Sequence, residues 1–229
     1  VQSDSKIIIG GDFLSINNVP RKSLARIFED GLLDTSFAPN TNTEFTNSGG
    51  TIKTLALQSD GKVVVGGVFT QINGQNKNRI ARLNSDGTLD QTFNIGLGAN
   101  NAVRNILVLP NNKIMVGGEF SQFAENNRNS LIRLNSDGTF DFAFEPMVGF
   151  VNNAIVNSMS IQADLKLVVV GSFNQYDGLS KNNILRLNNE GLSDENFQNI
   201  ESQINVFPNP SSSILNIHTP EKIIDLKII

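Results

Sequence analysis

Residues 62–93 read KVVVGGVFTQINGQNKNRIARLNSDGTLDQTF, and the same text recurs at residues 6–37, 113–144 and 166–197. A lysine opens an apolar run that ends in glycine, a Phe follows, an Arg stands between apolar residues, and an Asp-Gly turn leads to a closing Asp and Phe. The anchors Lys6, Lys62, Lys113 and Lys166 are 56, 51 and 53 residues apart, and Arg26, Arg82, Arg133 and Arg186 keep those spacings. Each unit is therefore fixed in length from its Lys to its Phe. All the variation in length falls between one unit's Phe and the next unit's Lys.

A period of about 40 to 50 residues with no 3.6-residue apolar pattern is the mark of propeller blades. Within the second unit four strands are predicted, at residues 52–57, 63–69, 79–83 and 89–93, on β-branched and aromatic content between turn residues. Asn84-Ser85-Asp86-Gly87 suits a hairpin closed by a left-handed glycine, and Ser59-Asp60-Gly61-Lys62 suits another. Two hairpins in series make a four-stranded antiparallel meander. The run Val63-Val64-Val65 is apolar on both faces, as expected of a strand sandwiched between blades. The pairs Gly10-Gly11, Gly66-Gly67 and Gly117-Gly118 remove bulk where backbones converge. In the fourth unit the pair is read as Gly171-Ser172, which makes the first glycine the stricter position.

The expected fold is all-β, a partial propeller of about four blades over residues 1–199. The opening unit lacks most of its first strand, and the arc is expected to belong to a larger ring. The first residues, VQSDSK, align with LQSDGK at 57–62, so the sequence opens inside a repeat and further sequence is expected upstream. After a linker at 200–203, residues 204–229 form a different module. Short strands flank Pro208-Asn209-Pro210, and a third apolar stretch covers 223–229, as at the start of a small β-sandwich.

Composition excludes several functions. A formal charge of −4, with Lys and Arg scattered, offers no broad attraction for nucleic acid. No apolar run approaches the ~20 residues that span a bilayer. There is no cysteine, which removes disulfides and thiol chemistry. The single histidine, His218, lies in the C-terminal module, so the repeats hold no Ser-His-Asp or multi-histidine site.

Asn84-x-Asp86-Gly87-x-x-Asp90 matches part of a calcium loop, but Arg82 occupies the place of an acidic ligand, which favours the hairpin reading. Arg82 among apolar neighbours requires a partner. Asp90 is the predicted one, with Asp34, Asp141 and Asp194 serving Arg26, Arg133 and Arg186. Gly-Gly without a following helix is no phosphate cradle. No carboxylate pair stands out for glycoside hydrolysis. The chain reads as non-enzymatic, with no catalytic, cofactor-binding or metal residues and no cofactor. The Asn- and Gln-rich connections at 70–78, 121–129 and 174–183 read either as recognition loops or as plain solvated links.

The apolar strand, Gly-Gly-x-Phe, Ala-Arg-Leu and Asp-Gly-x-Leu-Asp-x-x-Phe together resemble the delta-60 repeat, which implies a β-propeller of secreted bacterial proteins. The kelch repeat is a weaker likeness, because the chain has no Trp and one Tyr, Tyr176. Val206-Phe207-Pro208-Asn209-Pro210 with Ile214, Leu215 and Ile217 resembles the start of the type IX secretion sorting domain of Bacteroidota. These resemblances imply a secreted or outer-cell-surface scaffold handled by the type IX secretion machinery, without membrane insertion. Its partner would be an unidentified extracellular glycan or protein. The alternative is the accessory propeller of a secreted hydrolase whose catalytic domain lies upstream.

Overall fold

The computed structural model describes residues 1–37, 50–144, 149–151, 153–188, 205–206 and 217–218. The chain divides into two compact units, Val1–Leu192 and Ser193–Ile229. The first unit holds four repeats of one pattern, and its described residues contain no helix.

Blade 1 contains β1 (Ile7–Gly10), β2 (Ser15–Ile16), β3 (Val19–Pro20) and β4 (Leu24–Ile27). Blade 2 contains β5 (Thr51–Leu57), β6 (Val63–Val68), β7 (Gln71–Ile72), β8 (Gln75–Asn76) and β9 (Ile80–Leu83). Blade 3 contains β10 (Val103–Val108), β11 (Ile114–Gly118), β12 (Gln122–Phe123), β13 (Asn126–Asn127) and β14 (Leu131–Leu134). Blade 4 contains β15 (Ile155–Ile161), β16 (Leu167–Ser172), β17 (Gln175–Tyr176), β18 (Leu179–Ser180) and β19 (Ile184–Leu187). The main sheets run β5-β6-β9, β10-β11-β14 and β15-β16-β19, all antiparallel, with β1-β4 in blade 1.

The fourth strand of blades 1 to 3 is present as a single bridge, Ile27 to Leu33, Leu83 to Leu89 and Leu134 to Phe140. The physical reason is the Asp that follows. After the Asp90 amide donates to Arg82 O (2.9 Å), Asp90 Oδ1 accepts from the Thr92 amide (2.9 Å) and hydroxyl (2.6 Å). This side-chain turn rolls the backbone away from the sheet.

The central strand shows why its residues are apolar on both sides. Val63 and Val65 pack in a core with Ile8, Leu24 and Ile52, whereas Val64 joins Val103, Ile106 and Val116. A third core unites Met115 and Leu131 with Val156, Met159 and Val169. Each core thus lies between consecutive blades, and the side of a blade facing the next one is called its forward face below.

The glycine reading needs correction. Register places Gly10, Gly66 and Gly117 opposite Leu24, Ile80 and Leu131, and the residue at that place in blade 4 is Val170, opposite Ile184. Gly171 therefore matches Gly67 and Gly118, and the second glycine is the constant one. A Cβ on Gly67, Gly118 or Gly171 would run into the carbonyl oxygen of Thr51, Ala102 or Ile155. Those carbonyls are brought close by a bulge in β5, β10 and β15. In blade 1 a Cβ on Gly11 would meet, among the described residues, only the Phe13 ring, at 3.5 Å.

In the second unit Asn205–Val206 pairs antiparallel with Ile217–His218, in accord with two strands flanking the Pro-Asn-Pro turn. The turn, residues 223–229, Asp194 and Phe197 lie outside the described residues.

Candidate functional site

Two sets of cations recur in every blade, one on the main sheet and one on small hairpins. The first set begins with the arginine of the third main strand, which is buried in blades 1 to 3. Arg82 Nε donates to Asp90 Oδ2 at 2.7 Å, Nη1 reaches Gln58 Oε1 at 3.1 Å, and the guanidinium lies 4.5 Å from the centre of the Phe93 ring. Lys62 Nζ approaches the same Asp90 oxygen at 3.0 Å. The predicted arginine–aspartate pairs are present in the first three blades, with Arg26 on Asp34 at 2.9 Å and Arg133 on Asp141. Lys6 and Lys113 complete those clusters, and Arg26 and Arg133 stack on Phe37 and Phe144. The Lys, Arg, Asp and Phe by which the repeat is recognised are one structural cluster.

The cluster also joins blades. Arg26 Nη1 donates to Ser85 O at 2.6 Å, and Arg82 Nη1 donates to Ser136 O, each in the next blade's Asp-Gly turn. In blade 4 the partner Asp194 is outside the described residues, and Arg186 bonds Gln162 Oε1 at 2.5 Å and Asp164.

Electrostatics follow this geometry. Burial works against ionisation of Asp34 and Asp90, but the hydroxyl and amide of Ser36 or Thr92, with the paired Lys and Arg, hold both carboxyls well below the usual range. Asp141 is lowered likewise, against burial, by Lys113 and Arg133. Asp86 and Asp137, the suspected calcium ligands, are instead occupied within their turns. Each Oδ1 accepts from the amide and hydroxyl of Thr88 or Thr139, which lowers its pKa. Among the described residues no three His, Cys, Asp or Glu side chains group to hold a metal.

The second set lies on small hairpins that the sequence reading treated as loops. β2-β3, β7-β8, β12-β13 and β17-β18 are two-stranded ribbons of identical register. Both tip residues are left-handed in each, at Asn17-Asn18, Asn73-Gly74, Ala124-Glu125 and Asp177-Gly178, which makes them type I′ turns. Asn73-Gly74 and Asp177-Gly178 carry the residue pairs this turn favours and could have revealed them. Ala124-Glu125 carries no such signal.

Ile72, Phe123 and Tyr176 turn inward and are buried, with Phe123 edge-on to Phe120 and Tyr176 to Phe150. Outside, Gln71 Nε2 donates to Asn76 Oδ1 at 3.0 Å and Gln122 Nε2 to Asn127 Oδ1 at 3.2 Å. At each hairpin's base stands a cation, Arg21, Lys77, Arg128 or Lys181, whose amide bonds the opposite strand. These four are partly exposed. Residues 14–22, 70–78, 121–129 and 174–182 hold five cations and two acids, a local +3 on a chain of −4.

A family model described as a domain of unknown function (DUF5122) beta-propeller matches residues 2–37, 58–93, 109–144 and 162–197. The chain belongs to this family. The four matches accord with a delta-60-type propeller repeat, and each closes on the Phe of the buried cluster or its equivalent. A search of curated proteins returns no match. For a DUF5122 chain, the cations clustered on the aspartates account for the repeat signature, while the hairpins carry the surface features that differ between blades.

Proposed function

We propose that this DUF5122 chain is an exported, non-catalytic scaffold that binds an acidic polysaccharide along its row of hairpins. The observation that carries this reading is the cation at one hairpin position in all four blades, with Arg and Lys interchanging. Charge is kept there while geometry is not. Four cations on repeated hairpins suit a chain with a carboxylate or sulfate every few sugars, and the neighbouring Gln-Asn pairs suit hydroxyls. Nucleic acid, with a phosphate on every nucleotide, asks for denser charge and for exposed aromatic stacking surfaces.

The address is proposed from residues 204–229, whose Val206-Phe207-Pro208-Asn209-Pro210 resembles a sorting signal of the type IX secretion machinery of Bacteroidota. The protein would then act in the extracellular space or at the outer cell surface.

Binding is tested with the full chain on an array of polyuronates, sulfated glycans, neutral glycans, duplex DNA and acidic peptides. Retention on the acidic glycans, lost in K77E/R128E and weakened by salt, is the expected result. Equal binding to neutral glycans, or none to any acidic glycan, would refute the reading. A preference for DNA or peptides would reassign it. The address is tested by fractionating cells that express the natural gene, and retention in the cytoplasm would remove it.

A further inference from the structure

Immediately before the third main strand every blade has one left-handed residue, Ser23, Arg79, Ser130 or Asn183, with φ of 59° to 64°. The backbone around it is constant. Its amide donates to the carbonyl of Phe13, Phe69, Phe120 or Phe173, and its carbonyl accepts from the amide of Gly11, Gly67, Gly118 or Gly171. In blades 1 and 3 the side chain at this place ties the forward face to the next blade. Ser23 Oγ donates to Gly50 O at 2.9 Å and Ser130 Oγ to Ala154 O at 2.6 Å, and both serines are buried. The place asks for a short hydroxyl.

Blade 2 departs from this. Arg79 keeps the left-handed backbone, and register puts Asn101 O where the serines find Gly50 O and Ala154 O. Among the described residues, however, its side chain makes one polar contact, Nη1 to Ala99 O at 3.5 Å, the outer limit of a hydrogen bond. A guanidinium carries five donors, so most of this one faces no acceptor among the described residues. Arg79 is partly exposed, and residues 50–144, which form both sides of its seam, are all described. The adjacent residue shows the opposite behaviour. Asn78 Nδ2 donates to Leu97 O at 2.8 Å, as Asn129 Nδ2 does to Phe150 O at 2.8 Å in blade 3. The repeat's structural bond is kept at Asn78 and given up at Arg79. A residue that breaks the local rule without a structural return marks a functional position. Lys77, the hairpin cation of this blade, stands two residues away.

We infer that Arg79 is a ligand contact, which with Lys77 forms an oxyanion subsite at the seam of blades 2 and 3. Its fork takes the two oxygens of a carboxylate or sulfate. This rests on the acidic-polysaccharide reading and deepens it, because the hairpin cations supply charge whereas Arg79 supplies shape. The other three blades carry Ser or Asn at this place, so the polymer is gripped by this fork at one blade and held by charge along the others.

The test compares the full chain with its R79S and R79K variants in thermal unfolding and in affinity for polygalacturonate and dextran sulfate. R79S gives blade 2 the residue of blades 1 and 3. It is expected to melt within about 3 °C of the parent or above it, while binding about tenfold more weakly. R79K keeps the charge and loses the fork, so most of that loss is expected to remain. A loss confined to polygalacturonate identifies the group as a carboxylate, and one confined to dextran sulfate as a sulfate. A larger drop in the melting temperature of R79S would assign Arg79 to the structure, and unchanged affinity in R79S or R79K would remove the forked contact. Either result overturns the subsite, while the loss of binding in K77E/R128E still supports the wider reading. A parent chain that binds neither polymer would end both.

Discussion

The cations clustered on the aspartates and those on the hairpins differ in one respect that matters. At the cluster positions, where the guanidinium is buried in blades 1 to 3 and the lysine is partly exposed, the residue type never changes: Lys6, Lys62, Lys113 and Lys166 are all lysine, and Arg26, Arg82, Arg133 and Arg186 are all arginine. At the hairpin base Arg21, Lys77, Arg128 and Lys181 alternate. A buried guanidinium has its fork directed at named acceptors, and an ammonium cannot reproduce that geometry. A hairpin cation, tied to the opposite strand by its backbone amide, is required only to be positive. Within one chain, then, four copies of a position separate a demand for shape from a demand for charge.

The strongest way to break this comparison is to remove a buried arginine. Arg82→Met strands Asp90 without its guanidinium and severs the bond to Ser136 O, so a loss of about 3 kcal/mol is expected. Chemical denaturation measures it, and an unchanged midpoint would mean that the pair contributes nothing. Next in size is the conservative exchange. Arg82→Lys is expected to cost about 2 kcal/mol through the lost Gln58 and Ser136 bonds, whereas Arg128→Lys at the surface should stay within about 0.5 kcal/mol. Equal effects would erase the distinction.

Acid sharpens it further. Asp34, Asp90 and Asp141 have folded pKa values below the unfolded value of about 4. Their contribution is therefore complete above the unfolded pKa and is lost as pH falls below about 4 towards the folded values. Stability should be level from pH 6 to 5 and drop below 4, and in Asp90→Asn part of that drop should be missing. A titration midpoint near pH 6 would point to another group. The smallest effect on stability is expected for Lys77→Glu, within about 0.5 kcal/mol, although binding to acidic polymers should weaken. Loss of folding in that variant would assign Lys77 to the structure instead.

Much of the fold was legible because repetition in register is readable without coordinates. The arginine–aspartate pairs could be inferred from an arginine among apolar residues and the carboxylate eight residues on, across a hairpin. The fourth strand was overread, because Leu89 to Phe93 looks extended in composition while the side-chain turn at Asp90 bends it away. The small hairpins are half legible, because Asn73-Gly74 and Asp177-Gly178 carry a turn signal whereas Ala124-Glu125, beside the buried Phe123, carries none. Along the chain Gly171-Ser172 resembles the other Gly-Gly pairs, whereas the register with Ile184 puts Val170 in the first place.

The sequence by itself determined the repeat, its antiparallel strands, its Asp-Gly turns and the pairing of Arg with Asp within a blade, since each depends on residues close along the chain. Tertiary structure alone decided that Arg26 and Arg82 reach carbonyls 59 and 54 residues away and that Gly66 receives Val103. Those contacts cross the segment whose length varies from blade to blade. Only the packed sheets fix which residues meet across it.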